Sequence, residues 1–388
     1  MKGHLRKRGQ GSWSIVLDLG RDATGKRRQK WHTVRGTADD AERELVRLLN
    51  AMNIGEYVEP ARMTVGEYLD RWLKDYAQTN VAAKTYERYA QVVRLHLKPG
   101  IGHHRLPKLQ PLHIQAMYSK QMQGGRKDKK KGGLSAQTVL HHHRILREAL
   151  QQAVRWQLLA RNPADAVEPP RAERREMQVL DEAETAVLLD KAAGSRLYLP
   201  ILLAVTTGLR RGEILALRWQ DVNLDAATLA VRRSLEQTTA GLKFKQPKTQ
   251  KGRRVVALPP ITVEALRRHK ADQAKVKLFL GPAYKDQGLI CGRVHGTPVG
   301  PNEITAEFAA LIRGSKLPQI RFHDLRHSHA TQLLRQGIHP KIVSERLGHS
   351  TVGITLDVYS HVLPDMQEEA ARKIDLALRA AMQRTKQS

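Results

Sequence analysis

Between residues 321 and 361 the chain reads RFHDLRHSHATQLLRQGIHPKIVSERLGHSTVGITLDVYSH. His323 and Arg326 stand at spacing i, i+3, His349 lies in a Leu-Gly-His turn, and Tyr359 follows ten residues later. Helices broken at residues 337–340 and at Gly348 can gather a phenol, a guanidinium and two imidazoles. His323 and Arg326 then share one helix face, since residues three apart are neighbours there. Such groups suit attack on a phosphodiester. A Tyr hydroxyl supplies a nucleophile, Arg offers a planar fork to phosphate oxygens, and His exchanges a proton near neutral pH. Two plainer readings compete: surface or structural roles for each side chain, or a metal pair made by His323 with His327 at i, i+4.

A second cluster lies upstream, in TTGLRRGEILAL at residues 206–217. It reads as a helix end, a tight turn at Gly208, and a new helix carrying Arg210 and Glu213. A cation at a helix N-terminus opposes the local dipole, so Arg210 needs another reason to be there. A bound phosphate, with Glu213 as orienting carboxylate, supplies one; an intrahelical ion pair is the alternative. Further on, strand-like residues 228–232 precede an expected hairpin of residues 242–245 and 253–258. Its turn holds Lys248, whose ammonium could swing into a scissile site, and Lys251 is the nearby competitor.

The elements that must position these groups belong to a chain of 388 residues, enough for two or three domains. Lys and Arg number 66 against 38 Asp and Glu, a net charge of +28. Charge of that size speaks of a polyanionic partner, nucleic acid first. A membrane is the weaker alternative, because apolar runs such as residues 198–205 fall far short of the roughly 20 a spanning helix needs. The basic start MKGHLRKRGQ lacks a signal peptide's apolar core, so a cytoplasmic protein is expected. The single cysteine, Cys291, allows no internal disulfide and fits a reducing compartment. There is no zinc-type cysteine spacing, P-loop or dinucleotide fingerprint, so no metal or cofactor is expected.

Residues 1–57 read as three antiparallel strands, near 5–9, 12–19 and 28–34, followed by a helix capped at Thr37 with Ala41, Leu45, Leu48 and Leu49 buried. Arg6, Lys7, Arg8, Lys26, Arg27, Arg28 and Lys30 are taken as the outward face, either a DNA-groove surface or a solvated one. Residues 62–160 read as four helices, opened by a capping box at Thr64 and Glu67. Between two of them, a glycine-flanked loop carries Arg126, Lys127, Lys129, Lys130 and Lys131, suited to a phosphate backbone or merely solvated. The run of histidines 141–143 keeps helical periodicity and is not read as a metal site. Residues 161–177, rich in proline and then charge, form the linker to a domain at 178–388.

Taken in order, TGLRRGEILAL, PKT, HDLRH, LGHS and VYSH closely resemble the tyrosine recombinases of the phage and integrative-element integrase type. The resemblance is sharpest over residues 178–361, good in the helical region and looser in the N-terminal sheet. It implies a multi-domain, mainly α protein with small β-sheets: an arm-type DNA-binding sheet plus helix, a SAM-like helical core-binding domain, and a mixed α+β catalytic domain. It assigns Arg210, Lys248, His323, Arg326, His349 and the nucleophile Tyr359 to catalysis, with Glu213 in support. Tyr359 would form a 3′-phosphotyrosyl link, with His323 accepting its proton, the arginines and His349 holding the phosphate, and Lys248 protonating the departing 5′-oxygen. The resemblance further implies double-stranded DNA with core and arm-type sites. It also implies a homotetramer joined by exchange of a C-terminal helix near residues 365–382, a directionality factor, a host DNA-bending protein, and a place on the bacterial nucleoid. A type IB-like topoisomerase and a non-catalytic basic DNA-binding protein are the rivals.

Overall fold

The computed structural model describes residues 3–21, 25–53, 62–128, 132–173, 177–246, 252–359 and 366–385, without the side chains of residues 19, 28, 51, 358, 359, 366–370, 384 and 385. The chain forms two compact units, Met1–Arg174 and Arg175–Ser388.

The first unit opens with a meander, β1 (Gly3–Gly9), β2 (Ser12–Arg21) and β3 (Arg27–Arg35), in the antiparallel order β1-β2-β3. Gly11, at φ 68°, makes the tight β1–β2 turn that a side chain would strain. Helix α1 (Ala38–Asn53) starts on a reciprocal cap: the Asp40 amide donates to Thr37 Oγ1 at 3.2 Å, and the Thr37 amide donates to Asp40 Oδ2 at 2.9 Å. Ile15, Leu17, Leu48 and Met52 form the small core between helix and sheet, with Leu5, Val34, Leu45 and Leu49 packed around them.

The register corrects one expectation. Leu5 pairs with Ile15, Lys7 with Trp13 and Leu17 with Lys30, so Lys7 and Lys30 stand on the helix-side parity of the sheet. Consecutive basic residues such as 6–8 cannot all share one face of a sheet in which side chains alternate, although Lys7 itself stays exposed. The face away from α1 holds His4, Arg6, Trp31 and Arg35, with the Arg6 guanidinium 5.4 Å from the Trp31 ring.

The helices of the same unit run α2 (Val65–Trp72), a π turn Leu73–Ala77 and α3 (Gln78–Asn80); then α4 (Ala83–Val92), a π turn Val93–Leu97 and α5 (Lys98–Ile101); then α6 (Pro111–Gly124) and α7 (Ala136–Arg155). The Thr64–Glu67 capping box forms, and Ser135 caps α7. Val65, Leu69 and Trp72 recur at helical spacing and are fully buried with Ile114, Tyr118, Leu146 and Leu150. Within the histidine run, His142 bonds Gln121 at 2.9 Å and His143 bonds Tyr118 at 3.1 Å, both as core side chains.

In the second unit, Asp181 and Glu184 cap α8 (Glu182–Ala192), which leads to α9 (Tyr198–Thr207). Helix α9 is apolar on nearly every side because it is buried on nearly every side, with Leu199 through Val205 all in the core. After the short α10 (Arg211–Leu215) come β4 (Val222–Asn223), β5 (Thr228–Val231), β6 (Ser234–Thr238), β7 (Gly241–Lys245) and β8 (Arg254–Ala257). Here the structure departs from the expected hairpin. β7 pairs with β6, a strand not anticipated, while β8 joins β5 in the sheet β4-β5-β8. The expected turn therefore connects strands of different sheets among the described residues, and Lys248 and Lys251 lie outside those residues.

The chain continues through α11 (Pro260–Leu280), α12 (Pro301–Arg313), α13 (Asp324–Arg335), α14 (Pro340–Leu347) and α15 (Val352–Tyr359) to α16 (Met366–Thr385). In α16 every described side chain is exposed, Ile374, Leu376, Leu378 and Met382 at 59–63 % among them. Among the described residues no helix is long and apolar enough to cross a membrane.

Candidate active site

Two glycine turns frame the site. Helix α9 ends on Gly208 at φ 65° and α14 ends on Gly348 at φ 68°, both left-handed C-caps that glycine adopts without strain. Gly208 is constrained twice over. A Cβ there would lie 2.6 Å from Leu347 Cδ2 and 2.7 Å from His329 Cδ2, so the two turns approach as closely as they do only because that atom is missing.

Arg326 stitches these turns together. Its side chain, on the first turn of α13 and 3 % exposed, donates from Nη1 to Gly208 O at 2.7 Å and from Nη2 to Leu347 O at 2.8 Å. Each bond fixes the guanidinium plane, so the fork is oriented before any ligand arrives. His323 precedes the helix as its N-cap, and the Arg326 amide donates to its carbonyl at 3.2 Å. The expected sharing of one helix face thus becomes adjacency at a helix start. The His327 ring lies 5.3 Å from that of His323, and among the described residues no three His, Cys, Asp or Glu side chains could hold a metal.

Arg210 is the N-cap residue of α10. Its amide donates to Glu213 Oε2 at 3.0 Å and its Nη1 to Glu213 Oε1 at 2.9 Å, while its Nη2 reaches Gly348 O at 3.4 Å. The ion pair is present, yet 41 % of the Arg210 side chain remains exposed. Arg210 and Arg326 therefore hang on neighbouring carbonyls of a single turn, those of Gly348 and Leu347.

Glu213 is buried and receives a second cation that the sequence reading passed over. Arg254, 7 % exposed at its side chain, donates from Nη2 to Glu213 Oε2 at 3.0 Å, from Nε to Arg346 O at 2.6 Å and from Nη1 to Gly252 O at 3.3 Å. Burial pushes the Glu213 carboxyl upward, but the charge and hydrogen bonds of Arg254, with the Arg210 amide and guanidinium, outweigh it and leave the group below its usual range. A strand signal could have found Arg254. It alternates with Val256 on the inward parity of β8, where an arginine needs a buried carboxylate.

His329 and Arg346 extend the scaffold. Arg346 donates from Nε to His329 Nε2 at 3.1 Å and from Nη2 to Thr206 O at 2.8 Å and Ala257 O at 3.0 Å. With Nε2 accepting, His329 must carry its proton on Nδ1, which donates to Val205 O at 2.8 Å. Burial, then the Arg346 charge, lowers this imidazole to about 3, so it is a neutral structural bracket.

The two expected catalytic histidines are also held neutral at pH 7. Loss of hydration among close protein neighbours, then the His327 and Arg326 charges, lowers His323 to about 4, although part of the residue is exposed. Burial, then Arg326 and Arg210, lowers His349 to about 4. His349 Nδ1 hydrogen-bonds Thr355 Oγ1 at 2.8 Å. Tyr359 is the last residue of α15, and its side chain lies outside the described residues.

The structure thus brings Arg210, Glu213, Arg326 and His349 around the Gly208 and Gly348 turns, with His323 at the adjoining helix start. Of the expected DNA contacts, Arg27 is ion-paired with Asp18 at 2.6 Å and Arg126 with Asp128 at 2.7 Å. Arg6, Arg8 and Lys127 are exposed, the Arg28 side chain is not described, and Lys129, Lys130 and Lys131 lie outside the described residues.

Two guanidinium groups beside neutral imidazoles are groups that can hold a phosphate, and comparison with known proteins gives the class. Residues 175–366 match the phage integrase family model, and residues 64–122 match the phage integrase N-terminal SAM-like domain. The ICEBs1 integrase of Bacillus subtilis is 30 % identical over 264 residues, covering 68 % of this chain and 72 % of that protein. A XerC-like tyrosine recombinase of Caldanaerobacter subterraneus is 27 % identical over 388 residues, covering 95 % and 97 %. The Tn1549 transposon integrase, solved in complex with transposon right end DNA, shares the fold at a TM-score of 0.68 and 21 % identity, over 81 % of this chain and all of that one. A lambda integrase tetramer bound to a Holliday junction aligns at 0.56 and 22 % identity, over 92 % of this chain and 94 % of that one. The chain belongs to the phage integrase family of tyrosine recombinases, and it is a site-specific recombinase of the mobile-element type.

Proposed function

We propose that this chain integrates and excises a phage or other mobile element by cutting and rejoining double-stranded DNA through a phosphotyrosine at Tyr359. The phenol attacks a backbone phosphorus, the phosphorus–O5′ bond breaks, and a 3′-phosphotyrosyl end and a free 5′-hydroxyl result. A phenol ordinarily titrates near 10, so it needs a base at neutral pH. His323, neutral because of its surroundings, is the acceptor in this reading. The incoming phosphate would raise its proton affinity by countering the cations that depress it. Arg210 and Arg326 hold the non-bridging oxygens as charge builds, His349 adds a hydrogen bond, and Lys248 gives a proton to the leaving oxygen. The ester stores the energy of the broken bond, so rejoining to another 5′-hydroxyl is a second transesterification.

The observation that carries this reading is the suspension of Arg210 and Arg326 from adjacent carbonyls of one turn, which keeps two guanidinium groups beside that turn. The exposed face bearing Arg6, Trp31 and Arg35 suits an arm-type DNA site, and residues 62–160 suit the core site. Residues 1–57, 62–160 and 178–388 act as separate domains in this account, joined by a linker at 161–177. The unpacked apolar positions of α16 suit docking on a neighbouring protomer in a DNA-bound tetramer. A directionality factor and a host bending protein would complete that assembly.

The test is a nicked duplex spanning the attachment junction of the element that encodes the chain. Native protein should accumulate a covalent adduct, and Tyr359→Phe should bind the same DNA without forming one. Trapping by the Phe variant at the native rate would remove Tyr359 from the chemistry. Rapid relaxation of supercoiled plasmid lacking the junction would instead point to topoisomerase activity.

A further inference from the structure

Helix α15 is attached to its unit in an unusual way. Among its described side chains from Val352 to Asp357, only Thr355 is fully buried, at 0 % exposure, while Ile354 and Leu356 stand 38 % and 42 % exposed. Short helices ordinarily dock by burying apolar residues. Among these residues the buried one is a threonine, whose hydroxyl meets His349 Nδ1 at 2.8 Å. Tyr359 lies one helical turn beyond Thr355, at the end of the same helix.

We infer that Thr355 is a positioning residue that latches the tyrosine-bearing helix to His349 and sets which nitrogen of that imidazole faces the phosphate. The inference rests on the function proposed above. His349 is neutral, so one ring nitrogen carries a proton and the other accepts. When the Thr355 hydroxyl donates to Nδ1, the proton is confined to Nε2, which becomes a donor for a non-bridging oxygen. A buried hydroxyl without that acceptor would be left unsatisfied, so the bond favours the tautomer and the docked helix together. The His349 backbone is itself fixed, its amide donating to Ser344 O at 3.0 Å beyond the Gly348 turn. A rigid imidazole thus sets the register of α15, and through it the reach of residue 359.

Thr355→Val keeps the shape of the side chain and removes the hydroxyl; Thr355→Ser restores the hydroxyl. Full-length variants are tested on the same nicked junction duplex, with single-turnover adduct formation at saturating DNA and DNA affinity measured separately. The valine variant should form adduct at least ten-fold more slowly at near-native affinity, and serine should recover most of the rate. In a His349→Ala background, Thr355→Val should add little further loss, because their shared bond is already gone. Amide exchange in α15 should quicken in the valine variant while the melting temperature stays close to native. Native-rate trapping by Thr355→Val, or an equal loss with serine, overturns the inference, as does full additivity with His349→Ala. Absence of adduct with native protein would instead overturn the proposed function, which keeps the two failures apart.

Discussion

The N-terminal sheet and the catalytic unit both display arginine, but in opposite physical states. Arg6 is exposed and lies over the Trp31 ring, with its guanidinium open to water. Arg326 is 3 % exposed and its fork is tied to the Gly208 and Leu347 carbonyls. A hydrated, movable cation contributes attraction that salt screens. A desolvated, fixed cation stabilises charge that develops at one place, with little reorganisation when the bonds change. The comparison separates where DNA would be held from where it would be cut.

The largest effect should come from the fixed cation. Arg326→Lys keeps the charge and loses the planar fork, and removing one such donor typically costs about 100- to 1,000-fold in rate. Single-turnover adduct formation should fall by that order with DNA affinity nearly intact. Arg6→Lys in the same assay should stay within about two-fold of native, since an exposed cation outside the catalytic unit acts on phosphate mainly through a charge that lysine also carries. Equal losses at the two positions would erase the distinction.

Next comes the buried ion pair beneath Arg210. Glu213→Gln leaves Arg254, 7 % exposed, beside an uncharged amide, and breaking a buried pair by removing one partner costs about 3–5 kcal/mol. Denaturant melting of the full chain should show the loss in the unit that contains residues 175–388. No measurable loss would make this cluster no different from the exposed pair of Arg27 with Asp18 in the sheet.

The histidines sharpen the comparison through pH. His329, His323 and His349 are held at about 3, 4 and 4, below the ordinary 6.5 of an unfolded chain. The unfolded state therefore takes up protons that the folded state refuses. Their contribution is fully present above pH 6.5 and is lost progressively as pH falls from there, through about 4 for His323 and His349 and about 3 for His329. The denaturation midpoint should drop across that window, and His329→Gln should flatten the drop. A midpoint constant from pH 7 to 4.5 would contradict the neutral assignments.

How much of this was legible in sequence depended on whether a residue's role is local. The caps at Thr37 and Thr64 use partners three residues away, and both appear in the structure. The Arg210–Glu213 pair is equally local. Arg254 was passed over because its partners lie 41 and 92 residues away. Thr355 was passed over because a threonine before a tyrosine has no pattern of its own until His349 is beside it. The strand order failed for a related reason: β6, with its Glu236 and Gln237, looks polar, so its pairing with β7 was assigned to β8. The basic residues grouped on one face of the sheet divide between its two faces for a different reason. Alternation was available in the sequence and would have turned Lys7 and Lys30 to the other side.

The smallest effect tests the other half of the comparison. Arg6 shares its sheet face with Trp31, and the ring beneath the guanidinium limits its swing without dehydrating it. If that face lies against DNA, Arg6 neutralises about one phosphate, so Arg6→Ala should reduce the slope of log affinity against log salt by about 1. The weakening should be uniform across DNA sequences, because a phosphate contact carries no base information. Arg27→Ala, whose charge is already spent on Asp18, should change the slope less. Titrations of a duplex carrying the arm region at several salt concentrations measure both slopes. An unchanged slope for Arg6→Ala, or a larger change for Arg27→Ala, would mean that the charged face of this sheet is a solvated surface and that DNA is held elsewhere.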